Sequence, residues 1–232
     1  MTLLAILALG FFLGMRHATD SDHVVAVTTI VSRARSARAA LGIGLLWGLG
    51  HSATILAVGG AIVLFGWVIP PALGLSMEMS VAVMLIVLGI MNLSGALSHI
   101  GQVAHGHAHA DAAGASRLPL RAPVSLRPLF IGLVHGLAGS AAIALLVLAT
   151  IKTASLALLY LVIFGAGTMA GMMLLTGLMA VPLSALSSRL HGAEHLLARV
   201  TGALSLAFGL FLAYRIGISD GLLLGNPSWS PH

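Results

Sequence analysis

Eight consecutive residues, Arg16-His17-Ala18-Thr19-Asp20-Ser21-Asp22-His23, hold two carboxylates, two imidazoles and a guanidinium. The sequence on either side, Met1 to Gly14 and Val24 to Val31, is almost wholly apolar. An ionised acid near the centre of a bilayer costs about 2.5–3.5 kcal/mol on insertion scales. Such groups persist only where they pair, meet water or bind something. Two carboxylates and two imidazoles at one level form the ligand set of a divalent cation. Nitrogen and oxygen donors suit nickel, cobalt, zinc or manganese, and a chain without cysteine has no thiolate for soft Cu(I). The competing reading is a polar knot in which Arg16 neutralises one acid. On a regular helix, at about 100° per residue, His17, Asp20 and His23 share an arc of about 120°. Asp22 falls outside that arc and joins it only where the helix unwinds.

Further nitrogen donors lie downstream. His51 sits in Gly48-Leu49-Gly50-His51-Ser52, where the glycines permit close helix approach. His135 ends Phe130-Ile131-Gly132-Leu133-Val134-His135-Gly136, which echoes Phe12-Leu13-Gly14-Met15-Arg16-His17-Ala18 at an offset of 118 (135 − 17). For both histidines, helix-to-helix hydrogen bonding is the alternative to ligation or gating. A third group, His105, His107 and His109, alternates with Gly and Ala in a loop. It reads as a loose metal buffer or as a solvated linker.

The elements that must position these donors are membrane helices. Of 232 residues, 59% are hydrophobic and 7% charged, with mean hydropathy +1.07. A soluble domain carries about 25% charged residues. The composition therefore predicts an all-α integral membrane protein. A net charge of +5 does not imply nucleic acid, because no basic face can be drawn. Six spans are expected, at 3–31, 40–65, 79–98, 128–150, 156–181 and 196–216, each near the ~20 residues that cross a bilayer. The first is too long for one straight crossing and calls for a tilt or break near Gly14 and the polar motif.

Arg33, Arg35 and Arg38, then Arg117, Arg121 and Arg127, then Arg189 and Arg199 mark the first, third and fifth connections as cytoplasmic. The second, 66–78, carries only Glu78. Both termini are then outside, in a bacterial-type inner membrane. Gly48-Leu49-Gly50 has a counterpart in Gly165-Ala166-Gly167, and Gly89 one in Gly209. Copies three spans apart run in opposite senses, so the six transmembrane helices form two inverted three-helix repeats, a transporter architecture. The chain divides as repeat 1–99, His-rich cytoplasmic loop 100–127, repeat 128–216 and tail 217–232, within one transporter domain.

His17-x4-Asp22-His23, with Asp20 inside it, resembles the His-x4-Asp-His signature of the nickel/cobalt transporter (NiCoT) family. Gly50-His51-Ser52 resembles that family's second motif. His135-Gly136-Leu137-Ala138-Gly139-Ser140 resembles the six-helix, urease-accessory type of nickel permease. The resemblance implies a secondary transporter importing Ni²⁺ or Co²⁺ to supply urease or hydrogenase, with the ion as cargo, no prosthetic group and no enzymatic activity. His17, Asp20, Asp22 and His23 would be the principal ligands. His51 and His135 would complete or gate the site, and Arg16, Ser52 and Ser140 would assist. The partners implied are the cargo ion, the bilayer and a cytoplasmic metallochaperone. The chain departs from the longer, eight-span members in length and in lacking an acidic motif in its second half. Two alternatives use the same residues: an exporter of these metals, or a membrane-embedded metalloenzyme.

Overall fold

A computed structural model of the chain describes residues 3–32, 37–67, 69–95, 126–137, 151, 153–189 and 193–229. Among them are seven α-helices and no strand: α1 (Leu3–His17), α2 (Ser21–Val31), α3 (Ala37–Phe65), α4 (Pro71–Leu93), α5 (Arg127–His135), α6 (Ala154–Arg189) and α7 (Ala193–Tyr214). A five-residue π-turn, Arg215–Ser219, extends α7. Four stretches are long and apolar enough to cross a membrane: Arg38–Phe65, Pro71–Leu93, Ala154–Pro182 and His195–Ser219. A fifth forms if α1 and α2, bent by 57° at their junction, count as one broken span. The expected fourth span is described only over 128–137, and the His-rich loop lies outside the described residues.

The α1–α2 break falls at Ala18–Asp20, inside the polar motif where a tilt or break is expected. Its backbone stays satisfied because the turn tightens: Thr19 N–H donates to the Arg16 carbonyl at 2.8 Å, and Asp20 N–H to that of His17 at 3.1 Å. Asp20 then turns extended, at φ −61° and ψ 150°, and α2 starts afresh. This places Asp22 in the first turn of α2, where the helix dipole favours a carboxylate.

α4 starts eight residues before the expected span, at Pro71 rather than 79. Proline is preorganised for a first helical turn and has no N–H to leave unpaired there. Glu78, expected in a loop, is therefore helical. Gly95, at φ +74°, lies just beyond the end of α4.

Packing follows the glycines. α6 lies along both α1 and α3, α5 packs on α3, and α4 pairs with α7. At Gly14 an added Cβ would run into the backbone of Phe164 and Thr168; at Gly132 it would meet that of Trp47 and His51. Gly50 abuts Leu129 and Leu133, and Gly167 abuts Phe11. Small residues let membrane helices approach to backbone contact, where dispersion and interhelical hydrogen bonds replace a hydrophobic driving force. Such bonds are present. Ser52 Oγ donates to the Gly165 carbonyl at 3.0 Å, Thr54 Oγ1 to that of Leu133 at 2.8 Å and Ser205 Oγ to that of Leu85 at 2.8 Å. Thr29 Oγ1 ties α2 to the Thr201 carbonyl of α7 at 3.2 Å.

Candidate metal centre

The break between α1 and α2 brings the two ends of the polar stretch onto the middles of α3 and α5. His17 closes α1, His23 lies in the first turn of α2, His51 is in the middle of α3 and His135 closes α5. All four imidazoles are buried. The rings of His17 and His23 lie 4.7 Å apart, those of His23 and His135 4.2 Å, and those of His23 and His51 5.0 Å. His17 Nε2 faces His51 Nε2 at 2.9 Å. Imidazole nitrogens held about 2.0–2.1 Å from one metal ion sit about 3 Å apart when they are neighbours in its shell, so this spacing suits shared ligation.

The carboxylates divide. Asp22 Oδ1 lies 3.1 Å from His23 Nδ1, and its Oδ2 lies 3.0 Å from His135 Nε2. The His135 contact has the distance of a bond without its alignment, since that nitrogen has no hydrogen-bond partner. Asp20, 41% exposed at its side chain, reaches back to His17 Nδ1 at 2.9 Å. Two sets of ligand atoms cluster within 4.8 Å of one another, His17 with His23 and His51, and Asp22 with His23 and His135. His23 Nε2, His51 Nδ1 and both nitrogens of His135 are buried without hydrogen-bond partners. Unpaired buried polar atoms are costly, and a cation would satisfy them.

One comparison speaks to what this cluster belongs to. The chain is 39% identical over 231 residues to the urease accessory protein UreH of Bacillus sp. (strain TB-90), with 95% of each chain covered. This chain belongs to the UreH family of urease accessory proteins. As a UreH-family member it is not itself an enzyme. No protein-family model matches it, and no solved structure gives a significant match.

In this UreH-family chain the expected donors are distributed unevenly. His17, His23, His51, His135 and Asp22 converge. Asp20, expected on the inner arc, touches the cluster only through His17. Asp22 takes the inner place because the helix stops at His17 and the rotation restarts at Ser21. Arg16 is exposed, and among the described residues no ion pair joins it to either acid, which disfavours the polar-knot reading. Ser52 clips α3 to α6 and faces a backbone carbonyl. Ser140, His105, His107 and His109 lie outside the described residues.

Two residues bounding the cluster carry no polar signal. Phe164 lies 5.6 Å from the His17 ring. Trp47 stacks on His23 at 6.0 Å, with 17° between the planes, and stands edge-on to His135 at 5.4 Å. The signal was available in the glycine motifs, each of which has an aromatic residue directly before it: Trp47-Gly48 and Phe164-Gly165.

Proposed function

We propose that this chain is a secondary transporter of the NiCoT type that imports Ni²⁺, and Co²⁺ with it, for supply to urease. The observation that carries this reading is the convergence of four buried imidazoles and Asp22, with unpaired nitrogens among them, on helices apolar enough to span a bilayer. Membership of a urease accessory family supports nickel in particular, since the relative's name ties it to urease. His17, His23, His51, His135 and Asp22 bind the ion, and Asp20 orients His17 by holding its Nδ1. Tethering the far nitrogen of a ligating imidazole fixes its tautomer and raises its basicity.

Six membrane helices in two inverted repeats are the architecture this function needs, and the packing is consistent with it. Gly14 seats α1 on Phe164 and Thr168 of α6, and Gly132 seats α5 on Trp47 and His51 of α3, at matching offsets of 117–118. The arginines after α2 and before α5 put those ends in the cytoplasm and both termini outside. A dication entering along a membrane potential gains about 4.6 kcal/mol per 100 mV. That drives roughly three decades of accumulation without ATP.

The test is ⁶³Ni²⁺ uptake by cells expressing the chain, beside His17→Ala and Asp22→Asn, with Co²⁺, Zn²⁺ and Mn²⁺ as competitors. Both substitutions should abolish uptake, and Co²⁺ should compete best. Wild-type efflux from preloaded vesicles without uptake would reverse the direction. Neither movement, from protein shown to be folded, would end the transport reading.

A further inference from the structure

The five donors fall into two sets of three, and a single imidazole belongs to both. We propose that the cargo crosses this cluster in one step between two overlapping three-ligand stations, His17–His23–His51 and Asp22–His23–His135, handed over by His23. The proposal deepens the transport reading and rests on it.

Three observations separate the stations. Each set keeps its own ligand atoms within 4.8 Å of one another, and His23 is the residue they share. The His51 and His135 rings, one from each station, are 5.9 Å apart, against 4.2 Å for His23 and His135. The aromatic neighbours differ as well: Phe164 lies against His17, of the first station alone, and Trp47 against His135, of the second alone, and the shared His23. The two aromatics sit at corresponding points of the internal echo, 117 residues apart (164 − 47).

The stations differ in charge, and this gives the step a direction. The first offers three imidazoles and no acid among its ligands. The second offers two imidazoles and the Asp22 carboxylate. A dication held by neutral nitrogens can exchange a ligand pair for one containing an anion while His23 stays bound, so it is never stripped of all its donors. No covalent bond forms, and no oxidant or proton donor is required. Phe164 lies towards the Ala154 end of α6, and Trp47 towards the Ala37 end of α3. With the first connection cytoplasmic, the all-imidazole station therefore faces outward and the Asp22 station inward. Sharing His23 also excludes double occupancy, so one ion must leave before the next can enter.

The experiment titrates Co²⁺, as a spectroscopic probe, into the full purified chain in detergent, beside His23→Asn, His51→Asn and His135→Asn. Each variant is checked for a monodisperse profile, and glutamine replaces any asparagine variant that fails to fold. The wild type should bind one ion. His51→Asn and His135→Asn should each still bind one, weakened by more than the about 10-fold that loss of a group behind a ligand costs, with different d–d spectra because only the former retains the Asp22 station. His23→Asn should bind none. In proteoliposomes, both single-station variants should lose ⁶³Ni²⁺ transport by about 100-fold. Loss of binding in either single-station variant, identical spectra from the two, or two ions per wild-type chain would overturn the stations. Wild-type transport surviving such a result would leave the transport reading intact. A wild type that binds Co²⁺ and carries no nickel would remove the transport reading and the step with it.

Discussion

Asp20 and Asp22 are two residues apart and hold different offices. Asp22 touches two imidazoles of the cluster, whereas Asp20 is part-exposed and reaches one from behind. Asp22→Asn should therefore cut nickel uptake by at least about 100-fold, and Asp20→Asn by about 10-fold, in the range seen for groups that orient a ligand. Equal losses in the same uptake assay would mean that both acids ligate. Protons should compete with the cargo, because a ligating imidazole must be neutral. Uptake measured at fixed membrane potential should therefore fall as the medium is acidified, and uptake that does not depend on pH at all would argue against four imidazole ligands. At this scale much was legible. His17, His23, His51 and His135 stand out as polar residues in apolar sequence. The exchange of places between the two acids was hidden, because no glycine or proline marks the break at Ala18–Asp20 and a continuous helix puts Asp22 outside the arc. Phe164, apolar in an apolar helix, was legible only through its place before Gly165.

The helices meet along their glycines, so the seams are where a single methyl group should matter. Gly132→Ala drives a carbon into the Trp47 backbone and indole, and Gly14→Ala does the same at Phe164. Each should cost about 1–3 kcal/mol, the usual penalty of overpacking, visible as a lowered thermal midpoint in detergent. Gly42→Ala is the control. Nothing approaches its added carbon, and alanine is the better helix former by about 1 kcal/mol, so its midpoint should hold or rise. Among the described residues hydropathy alone marked the four membrane-length helices and the broken α1–α2 pair, but not where the elements end. α4 gains a turn and more from Pro71, and α6 runs on through Pro182 to Arg189, past the expected end at 181. Hydropathy sees the lipid-facing middle of a helix, while its ends are set by capping and by neighbours.

The orientation of the whole molecule is open to direct labelling, since the chain has no cysteine of its own. Ser228→Cys lies in the tail that folds back on α4, where the Trp229 indole N–H donates to Glu78 Oε1 at 2.8 Å. Ser36→Cys lies in the arginine-bearing connection before α3. An impermeant maleimide applied to intact cells should label the first and spare the second; the reverse pattern would invert the topology and turn the import reading to export. At this scale the sequence carried the charge asymmetry and the echo around His17 and His135. It did not carry the tail's return to α4, which depends on an indole settling over Gly74.

The glycine seams have a mechanical consequence. Where backbone rests on backbone there are few rotamers to re-sort and few knobs to lift out of holes, so one helix can slide along another against little friction. The seams at Gly14 and Gly132 are then bearings as much as fasteners; the Thr54 hydroxyl, clipped to the Leu133 carbonyl, is the catch across the Gly132 seam, and that of Ser52 holds α3 to α6 at Gly165. A methyl group lodged at Gly132 would meet the backbone of His51 as well as that of Trp47, so jamming this bearing would also displace a donor of the cluster.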